Sequence, residues 1–523
     1  MLTFFVIVPI VVAIFLYLFP FQKIAQTIAL AVQTALFGAT AYLFYLTRNS
    51  QELITVIGHY GDDLGIILRA DSLSTVFILL TAFIFFVVTI YSMGEDNGRL
   101  YWLLLFIWES SLIGIFLAGD LFNVFVLTEV ATMAVAVLIM YQREKRSMYD
   151  GLIYIMVNFV VIQFYLLGLG YLYRIAGFMD MSALTAVMRY MDGEYLFLPY
   201  ALMMTFIALK CALLPLYSWL PKAHSSPGAT PGISAILSGL HIKSGLYLFL
   251  RFQDVFYNVA ANEFFLVLGI ITAIGGILMA LSQQNIKRIL AYSTIAQVGL
   301  IITGLSIGGE YNYMGGLYHM INHGIAKAAL FLSAGMISSA YGTKELYKIS
   351  GVMRRVPVAG FASIMAIFGM IGMPGFNGSI SKYFLMYDVG WLLNGILIFI
   401  NLGTIMVFIR YSQMFFGSAE PERRNLWKEA PLILLGIACF VLGIFGQNFV
   451  LLLYGWYGSI TFAGYIEKSA IFVVSLFIGF VLVKYCVNDR VVFKRIGEID
   501  FSFRGMCAAM GVFFALVLIT IGF

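Results

Sequence analysis

The stretch LFNVFVLTEVATMAVAVLIMY (residues 121–141) is strongly apolar and holds one charged side chain, Glu129, near its middle. A transmembrane helix takes roughly 20 predominantly apolar residues, so this stretch is long enough to cross a bilayer. The rest of the chain has the same character: 62% of its 523 residues are hydrophobic, 11% are charged and the mean hydropathy is +0.95. Since a soluble domain carries about 25% charged residues, the sequence predicts a polytopic membrane protein and excludes a soluble enzyme.

Sixteen apolar runs, separated by charged residues or by glycine and proline, are predicted as membrane spans. They cover residues 2–19, 24–47, 73–93, 101–118, 121–141, 150–173, 197–220, 231–250, 264–283, 289–307, 315–340, 357–390, 391–416, 430–452, 469–485 and 505–523. No long linker or low-complexity tract separates them, so the sequence predicts a single transmembrane domain, 1–523. Its predicted parts are N-terminal helices 1–3 (1–100), a first five-helix unit (101–251), a second five-helix unit (264–416) and C-terminal helices (430–523).

Two of the predicted spans are interrupted by proline. The seventh carries Lys210 ahead of Pro215 and Pro221, and the twelfth contains GMIGMPGFNGSISK (369–382), with Pro374 among four glycines. Proline lacks a backbone N–H and disrupts the helical turn before it. Broken helices at corresponding positions of two halves are typical of the ion path of a transporter.

The interrupted span is the fourth helix in each five-helix unit. A unit of five spans, an odd number, begins on one side of the membrane and ends on the other. The second unit therefore starts from the opposite side and must be inverted relative to the first. The sequence therefore predicts an all-α polytopic membrane protein with about 14 core transmembrane helices in two inverted five-helix units, broken in helices 7 and 12. About two extra C-terminal helices follow the core.

Lysine and arginine are unevenly divided between the two sides of the predicted bundle. When the connections between consecutive spans are numbered from the N-terminus, the odd-numbered ones hold twenty Lys and Arg residues and the even-numbered ones hold six. An excess of Lys and Arg marks the cytoplasmic side, so the sequence predicts a multi-pass protein of the cell membrane with both termini extracytoplasmic. The longest polar connection, 48–72, is mostly uncharged and is predicted to pack on one membrane face.

Five charged side chains within predicted spans are candidates for an ion path. They are Glu129, Lys210, Lys243, Lys327 and Lys382. A charged group at bilayer depth costs about 3 kcal/mol, so the five together cost on the order of 15 kcal/mol, comparable with the net stability of a whole protein. Such groups normally mark an ion or proton path. A buried ion pair such as Glu129 with Lys210 is the structural alternative.

The eleventh span carries His319, His323 and Lys327, spaced four residues apart. At about 100° per residue the three side chains drift only about 80° around the helix, so they form one polar stripe. Imidazole groups titrate near neutrality and can pass protons. The alternatives are a metal site, which HxxxH spacing permits although no carboxylate or cysteine accompanies it, and histidines that only hydrogen-bond neighbouring helices.

Motifs for cofactors and metals are absent from the sequence. No CxxC, GxGxxG or P-loop pattern occurs, and the cysteines are far apart: Cys211, Cys439, Cys486 and Cys507. We therefore expect no cofactor and no metal in this chain, and no redox or hydrolytic activity of its own. The net charge of +5 is spread over short loops, which argues against nucleic-acid binding.

Four separated motifs carry a family resemblance. They are GDLFNVFVLTEV (119–130), ALKCALLPLYSWLPKAHSSPGATPGISAILSGLHIKSGLYLFLR (208–251), NIKRILAYSTIAQVGL (285–300) and GLYHMINHGIAKAALFLSAGMI (316–337). In this order they resemble the antiporter-like subunits of complex I, of Mrp Na+/H+ antiporters and of membrane-bound hydrogenases. The GDLFN…E form looks closest to the D-type subunit of Mrp antiporters.

The resemblance implies roles for particular residues. In that family a glutamate and several lysines form a central hydrophilic axis, which here corresponds to Glu129, Lys210, Lys243 and Lys382. His319, His323 and Lys327 match the HxxxHxxxK segment that links the two halves. His224, in WLPKAH, matches a loop histidine of the family pattern.

The chain also departs from that pattern. Asn285 stands where family members often have Asp, and two extra spans (469–485 and 505–523) follow the usual fourteen. Glu109, in the fourth span, is a further buried carboxylate whose role is left open between a second proton acceptor and an interfacial residue.

The resemblance implies a proton-translocating subunit of a multisubunit cation/proton antiporter, moving H+ along a Glu/Lys/His axis. Its expected partners are other membrane subunits, the bilayer, H+ and, if the complex exchanges it, Na+. The alternative is a proton- or sodium-pumping membrane subunit of a redox-driven complex, a membrane-bound hydrogenase or an NADH/ferredoxin:quinone oxidoreductase with peripheral iron–sulfur subunits. A scaffold without transport is a third possibility.

Overall fold

The computed structural model describes residues 1–18, 21–48, 52–58, 65–487, 496–497 and 501–522. Three of the residues counted in the predicted charge bias, Arg490, Lys494 and Arg495, lie outside the described residues. The same holds for the last residue of the first predicted span, 19, and of the final span, 523.

The chain divides into two compact units. The first unit comprises Met1–Ala229, Leu240–Ala261 and Phe501–Phe523, and the second comprises Thr230–Gly239 and Asn262–Asp500.

The helices and strands of the first unit are α1 (Thr3–Leu18), α2 (Gln22–Arg48), β1 (Leu53–Ile57), β2 (Ile66–Ala70), α3 (Ser72–Met93), α4 (Arg99–Leu117), α5 (Leu121–Ile139), α6 (Lys145–Ala176), α7 (Met181–Met188), α8 (Glu194–Lys210), α9 (Trp219–Ser225), α11 (Ile242–Val255) and α22 (Phe503–Gly522). The second unit holds α10 (Pro231–Ile236), α12 (Asn262–Ser282), α13 (Ile286–Ser306), α14 (Glu310–Tyr341), α15 (Val352–Arg355), α16 (Pro357–Ile371), α17 (Asn377–Leu385), α18 (Trp391–Tyr411), α19 (Leu426–Ile444), α20 (Gly446–Tyr454) and α21 (Phe462–Leu482). A π-helical turn, Leu237–His241, joins α10 to α11.

Thirteen helices of the described chain are long and apolar enough to cross a membrane, and α1 and α16 are shorter apolar helices. This confirms the predicted all-α polytopic fold. Three helices begin well before the predicted spans: α21 by seven residues, and α6 and α14 by five residues each. The first turns of α6 and α14 are polar, as in Lys145–Arg146 and Glu310–Asn312, so hydropathy alone does not reveal their added length.

Both predicted helix breaks are present. α8 ends at Lys210, and the chain turns through eight residues before α9 begins at Trp219. α16 ends at Ile371, where Gly372 takes the left-handed conformation with φ of 79°, and α17 begins at Asn377. A Cβ atom on Gly378 would lie 1.8 Å from the Gly369 carbonyl oxygen, so only glycine permits this close approach of the two half-helices.

A β-hairpin lies in the connection 48–72, where the sequence analysis expected only a polar loop. β1 and β2 pair antiparallel, with Leu53 opposite Ala70. Ile67 of β2 accepts a hydrogen bond from Gly119 N–H and donates its own N–H to the Asp120 carboxylate. The hairpin is therefore anchored to the α4–α5 connection, a contact between distant residues that local patterning does not reveal.

The two units share features that recur at one offset along the chain. Isolated β-bridges pair Asp120 with Asp180 in the first unit and Asn285 with Glu345 in the second, and the two pairs have the same separation in sequence. α6 and α14 each have 32 residues and end at a left-handed glycine, Gly177 or Gly342. The offset from Asp120 to Asn285 equals the offset from Gly177 to Gly342, which indicates an internal repeat.

Candidate functional site

Lys210 is the centre of a buried polar cluster in the first unit. It is the last residue of α8, and its Nζ donates to Thr132 Oγ1 on α5 at 2.9 Å and to Asn158 Oδ1 on α6 at 2.6 Å. Glu129 lies one turn before Thr132 and interacts with the Lys210 charge through space. Its Oε1 has no hydrogen-bond partner among the described residues. The lysine is therefore held by neutral oxygens, and the carboxylate acts on it electrostatically.

His241, which the sequence analysis did not single out, extends this cluster. Trp108 Nε1 lies 3.3 Å from its Nδ1, and the Tyr154 hydroxyl lies 3.1 Å from its Nε2. Indole N–H can only donate, so Nδ1 must be an acceptor and the proton of the neutral ring is on Nε2. Nε2–H then donates to Tyr154, whose hydroxyl also hydrogen-bonds the Thr132 side chain. A directed chain of hydrogen bonds thus runs from Trp108 to the neighbourhood of Lys210.

The other predicted residues of the first unit are also buried. Lys243 lies on α11 two residues after His241 and is inaccessible to solvent, and His224 on α9 is likewise fully buried. The α9 segment is fixed near Lys210, since Trp219 Nε1 donates to the Leu209 carbonyl in the last turn of α8.

Glu109, whose role the sequence left open, is a separate buried carboxyl group of the first unit. It is fully buried on α4, and Gln33 of α2 donates its side-chain amide to Oε2. Oε1 has no hydrogen-bond partner among the described residues. The contact between α2 and α4 therefore includes a polar pair inside the membrane-spanning region, where unpaired polar atoms are costly.

In the second unit the predicted stripe on α14 faces α13. His319 Nε2 lies 2.9 Å from Gln297 Oε1, and Lys327 Nζ donates to the Leu290 carbonyl at 2.9 Å and to the Ser293 hydroxyl. The rings of His319 and His323 are 6.5 Å apart. His319 and Lys327 therefore make polar contacts between two buried helices, α14 and α13.

His319 also connects the stripe to the broken helix, because its Nδ1 lies 2.9 Å from the Ser381 hydroxyl of α17. The next residue, Lys382, donates from Nζ to the Met370 carbonyl at 2.7 Å and to Asn401 Oδ1 at 2.6 Å. Met370 lies in the last turn of α16, where the helix leaves its carbonyl groups unpaired and the macrodipole is negative. The helix break thus creates the acceptor for the Lys382 ammonium group.

The internal repeat explains which partners the sequence analysis missed. Positions that bear polar groups in the first unit bear them again at the same offset in the second: Thr128 and Ser293, Glu129 and Thr294, Thr132 and Gln297, Tyr154 and His319, Asn158 and His323. A search for polar residues recurring at this offset would have identified Thr132, Asn158 and Gln297 beforehand. Asn401, on α18, has no such signal.

Comparison with known proteins shows the family. The family described as NADH:quinone oxidoreductase/Mrp antiporter, transmembrane, matches residues 118–410. The chain is 29% identical over 465 residues to NADH-quinone oxidoreductase subunit N of Desulforudis audaxviator, which covers 82% of this chain and 92% of that protein. It is 30% identical over 392 residues to the D-type subunit of the Na(+)/H(+) antiporter of Alkalihalophilus pseudofirmus, covering 73% of this chain and 79% of that protein.

The fold has solved counterparts as well. A chain in the structure of the Mrp complex from Dietzia sp. superposes with a TM-score of 0.79 at 22% identity, covering 91% of this chain and 99% of that chain. The resemblance predicted from the four sequence motifs is confirmed. The chain belongs to the NADH:quinone oxidoreductase/Mrp antiporter family of multi-pass membrane proteins.

Proposed function

We propose that this chain is the proton-translocating subunit of a multisubunit cation/proton antiporter of the plasma membrane. The observation that carries the proposal is that Lys210 and Lys382 each occupy a helix break and donate to neutral oxygens. Neutral acceptors hold an ammonium group without a permanent counter-ion, so its proton can be released and regained. A static buried ion pair would oppose that release.

In the proposed mechanism, the charge of Glu129 and the proton on Lys210 are coupled. When Glu129 is ionised it stabilises the protonated amine through space, and when Glu129 takes up a proton that stabilisation is lost. The released proton then moves by way of Lys243 and the α14 stripe, His319, His323 and Lys327, to Lys382. His224 is assigned to the same proton path.

The remaining assignments belong to the same proposal. The chain itself carries no cofactor or metal, and other membrane subunits complete the transporter. Its termini lie on the extracytoplasmic side, as the distribution of Lys and Arg predicts. Sequence similarity to the D-type subunit of the Na(+)/H(+) antiporter of Alkalihalophilus pseudofirmus favours Na+ as the counter-transported cation of the complex.

A second candidate function has its own support. Similarity to NADH-quinone oxidoreductase subunit N of Desulforudis audaxviator extends over 82% of this chain, so the same axis could serve a redox-driven complex with peripheral iron–sulfur subunits. Mass spectrometry of the complex, purified in mild detergent through a tag on this chain, separates the two. Small membrane subunits alone support the antiporter, whereas co-purifying iron–sulfur or nickel–iron proteins support the redox-driven complex.

Transport by a Glu129→Gln variant tests the proposal directly. We expect at least about a tenfold loss of proton transport, the usual effect of removing a proton-transferring group, with normal assembly. Transport is measured in membrane vesicles with a fluorescent pH probe, and assembly by the amount of the complex recovered. Glu194→Gln, an exposed glutamate in the first turn of α8, is the matched control. Normal transport by Glu129→Gln would refute the proposed coupling.

A further inference from the structure

A small cavity with several polar side chains in its lining adjoins Lys382 in the second unit. It has a volume of about 50 Å³ and is lined by, among others, Lys382, Asn401, Tyr465, Lys468 and Ser469. A single water needs roughly 10–15 Å³ and two to four polar partners, so this cavity has room and hydrogen-bonding groups for several waters. Three of these five lining residues come from α21, which lies beyond the residues that the family comparison matches.

Two lysine–asparagine pairs lie along one face of α18, and three of their four residues, Lys382, Asn401 and Lys468, line the cavity. Lys382 donates to Asn401 at 2.6 Å, and Lys468 donates to Asn394 at 3.3 Å. Asn394 and Asn401 are seven residues apart, so they lie on the same face of the helix, with a rise of about 10 Å between them. Asn401 is the eleventh residue of α18, about 15 Å from its start and therefore near the middle of a bilayer core of about 30 Å. Asn394 lies close to the membrane surface.

Two hydrogen bonds connect α21 to the segment at the break between α16 and α17. The Tyr465 hydroxyl accepts a hydrogen bond from Gly375 N–H at 3.0 Å and hydrogen-bonds the Ser379 hydroxyl at 3.2 Å. Tyr465, Lys468 and Ser469 are spaced three and four residues apart, which places them on one face of the helix. These bonds hold that face of α21 against the cavity and against the loop that positions Lys382.

We propose that Lys468 is the last proton-transfer residue of the path and follows Lys382. A proton leaves the Lys382 ammonium group, passes through water in the cavity and forms a new N–H bond on the neutral Lys468 amine. Lys468 then releases it at the membrane face where α18 and α21 begin. The two lysines share one small cavity, so a charge on one repels a charge on the other and a proton arriving at Lys382 favours release from Lys468. This inference rests on the proposed function and assigns a role to a helix beyond the matched region.

Substitutions of Lys468 separate proton transfer from a purely structural or electrostatic role. Lys468→Arg keeps the positive charge but does not release a proton, and Lys468→His keeps the ability to titrate. We expect Lys468→Met and Lys468→Arg to lower transport by about tenfold or more, and Lys468→His to retain a substantial part of it. Lys484→Met is the matched control, because Lys484 follows the same helix and does not line this cavity. Normal transport by Lys468→Met or Lys468→Arg would overturn the inference.

Access of water to the cavity is tested without measuring transport. In a background carrying Cys486→Ser and Cys507→Ser, Ser469→Cys should react with a membrane-impermeant maleimide, since thiols react as thiolates, which form only in water. Val474→Cys, on an exposed apolar position of the same helix, should remain unlabelled. Absence of labelling at Ser469→Cys would overturn the inference.

The proposed function and this inference fail in different ways. Loss of transport in Glu129→Gln combined with normal transport in the Lys468 variants refutes only the role of Lys468. Normal transport in Glu129→Gln refutes the proposed function itself, and the labelling result still reports whether the cavity holds water.

Discussion

Among single residues, His241 shows how a neighbouring group that can only donate a hydrogen bond fixes the protonation state and tautomer of a histidine ring. Trp108 Nε1–H needs an acceptor, and a protonated His241 would present a second donor to it. The indole therefore keeps the imidazole neutral and fixes its tautomer. His241 is consequently a positioning residue that orients the Tyr154 hydroxyl toward Thr132, rather than a carrier of protons.

Replacement of His241 by glutamine or leucine tests this role. Glutamine can accept from Trp108 and donate to Tyr154, so His241→Gln should transport protons at a rate within about twofold of the unsubstituted chain, because both hydrogen bonds remain. His241→Leu removes both hydrogen bonds and leaves the buried Trp108 indole N–H unpaired, so it should lower the free energy of unfolding by about 1–3 kcal/mol, with loss of transport. Transport in vesicles and thermal unfolding in detergent are the measurements. Loss of transport in a stably folded His241→Gln would show that the ring carries protons.

Among the helices, each of the two broken ones places a buried lysine at its break, and the break in the second unit also supplies an acceptor for the ammonium group. The end of α16 leaves the Met370 carbonyl for Lys382, and the end of α8 places Lys210 between α5 and α6. A continuous helix through α16 and α17 would satisfy the Met370 carbonyl internally, and Lys382 would lose that acceptor. The breaks are therefore part of the site and not only of the fold.

The close packing at the break between α16 and α17 predicts that one methyl group added at Gly378 destabilises the protein. Gly378→Ala would place its Cβ 1.8 Å from the Gly369 carbonyl oxygen, a backbone atom that cannot move aside cheaply. We expect a loss of about 1–3 kcal/mol or more in the free energy of unfolding, because overpacking forces backbone shifts. Gly395→Ala on α18, where a Cβ meets nothing within 4 Å, is the control and should be neutral or slightly stabilising. Thermal unfolding of the two purified variants compares them, and equal melting temperatures would contradict the predicted clash.

At the scale of the whole molecule, one ion pair joins two distant parts of the first unit at the membrane surface. Asp71 caps α3 and pairs with Arg251 near the end of α11, 180 residues along the chain. Burial raises the pKa of the Asp71 carboxyl, but the Arg251 charge and the hydrogen bonds from Ser74 and Arg251 outweigh it and leave the pKa below its usual value.

This lowered pKa predicts how stability depends on pH. The contribution of the pair is fully present above the pKa of about 3.9 that Asp has when unfolded, and it is lost as the pH falls through the lower folded value. Asp71→Asn keeps a capping side chain and removes the charge, so it should cost on the order of 1–2 kcal/mol at pH 6. The difference in melting temperature between the two proteins should shrink as the pH falls toward about 3. A difference that does not change with pH would contradict the role of the charge. Glu52→Gln, at an exposed pair, is the control.

The membrane-spanning segments, the two breaks and the buried ionisable residues could be predicted from the amino-acid sequence. A span is visible because some 20 apolar residues must follow one another, and a break is visible because proline and glycine act on their own turn of helix. Glu129, Lys210 and Lys382 stand out because a charged residue inside an apolar run has no local reason to be there. These are all properties of a residue and its nearest neighbours in the chain.

The contacts of those residues could not be predicted, because they depend on how distant helices pack. Lys210 is held by Thr132 and Asn158, from helices that end far earlier in the chain, at Ile139 and Ala176. Trp108 positions His241 through a hydrogen bond. Lys382 lines a cavity whose lining is completed by residues of α21. The hairpin between α2 and α3 likewise depends on bonds to Gly119 and Asp120. An uncharged threonine, asparagine or tryptophan residue stands out less in an apolar helix than a charged residue does, so its role appears only when packing brings it to a buried charge.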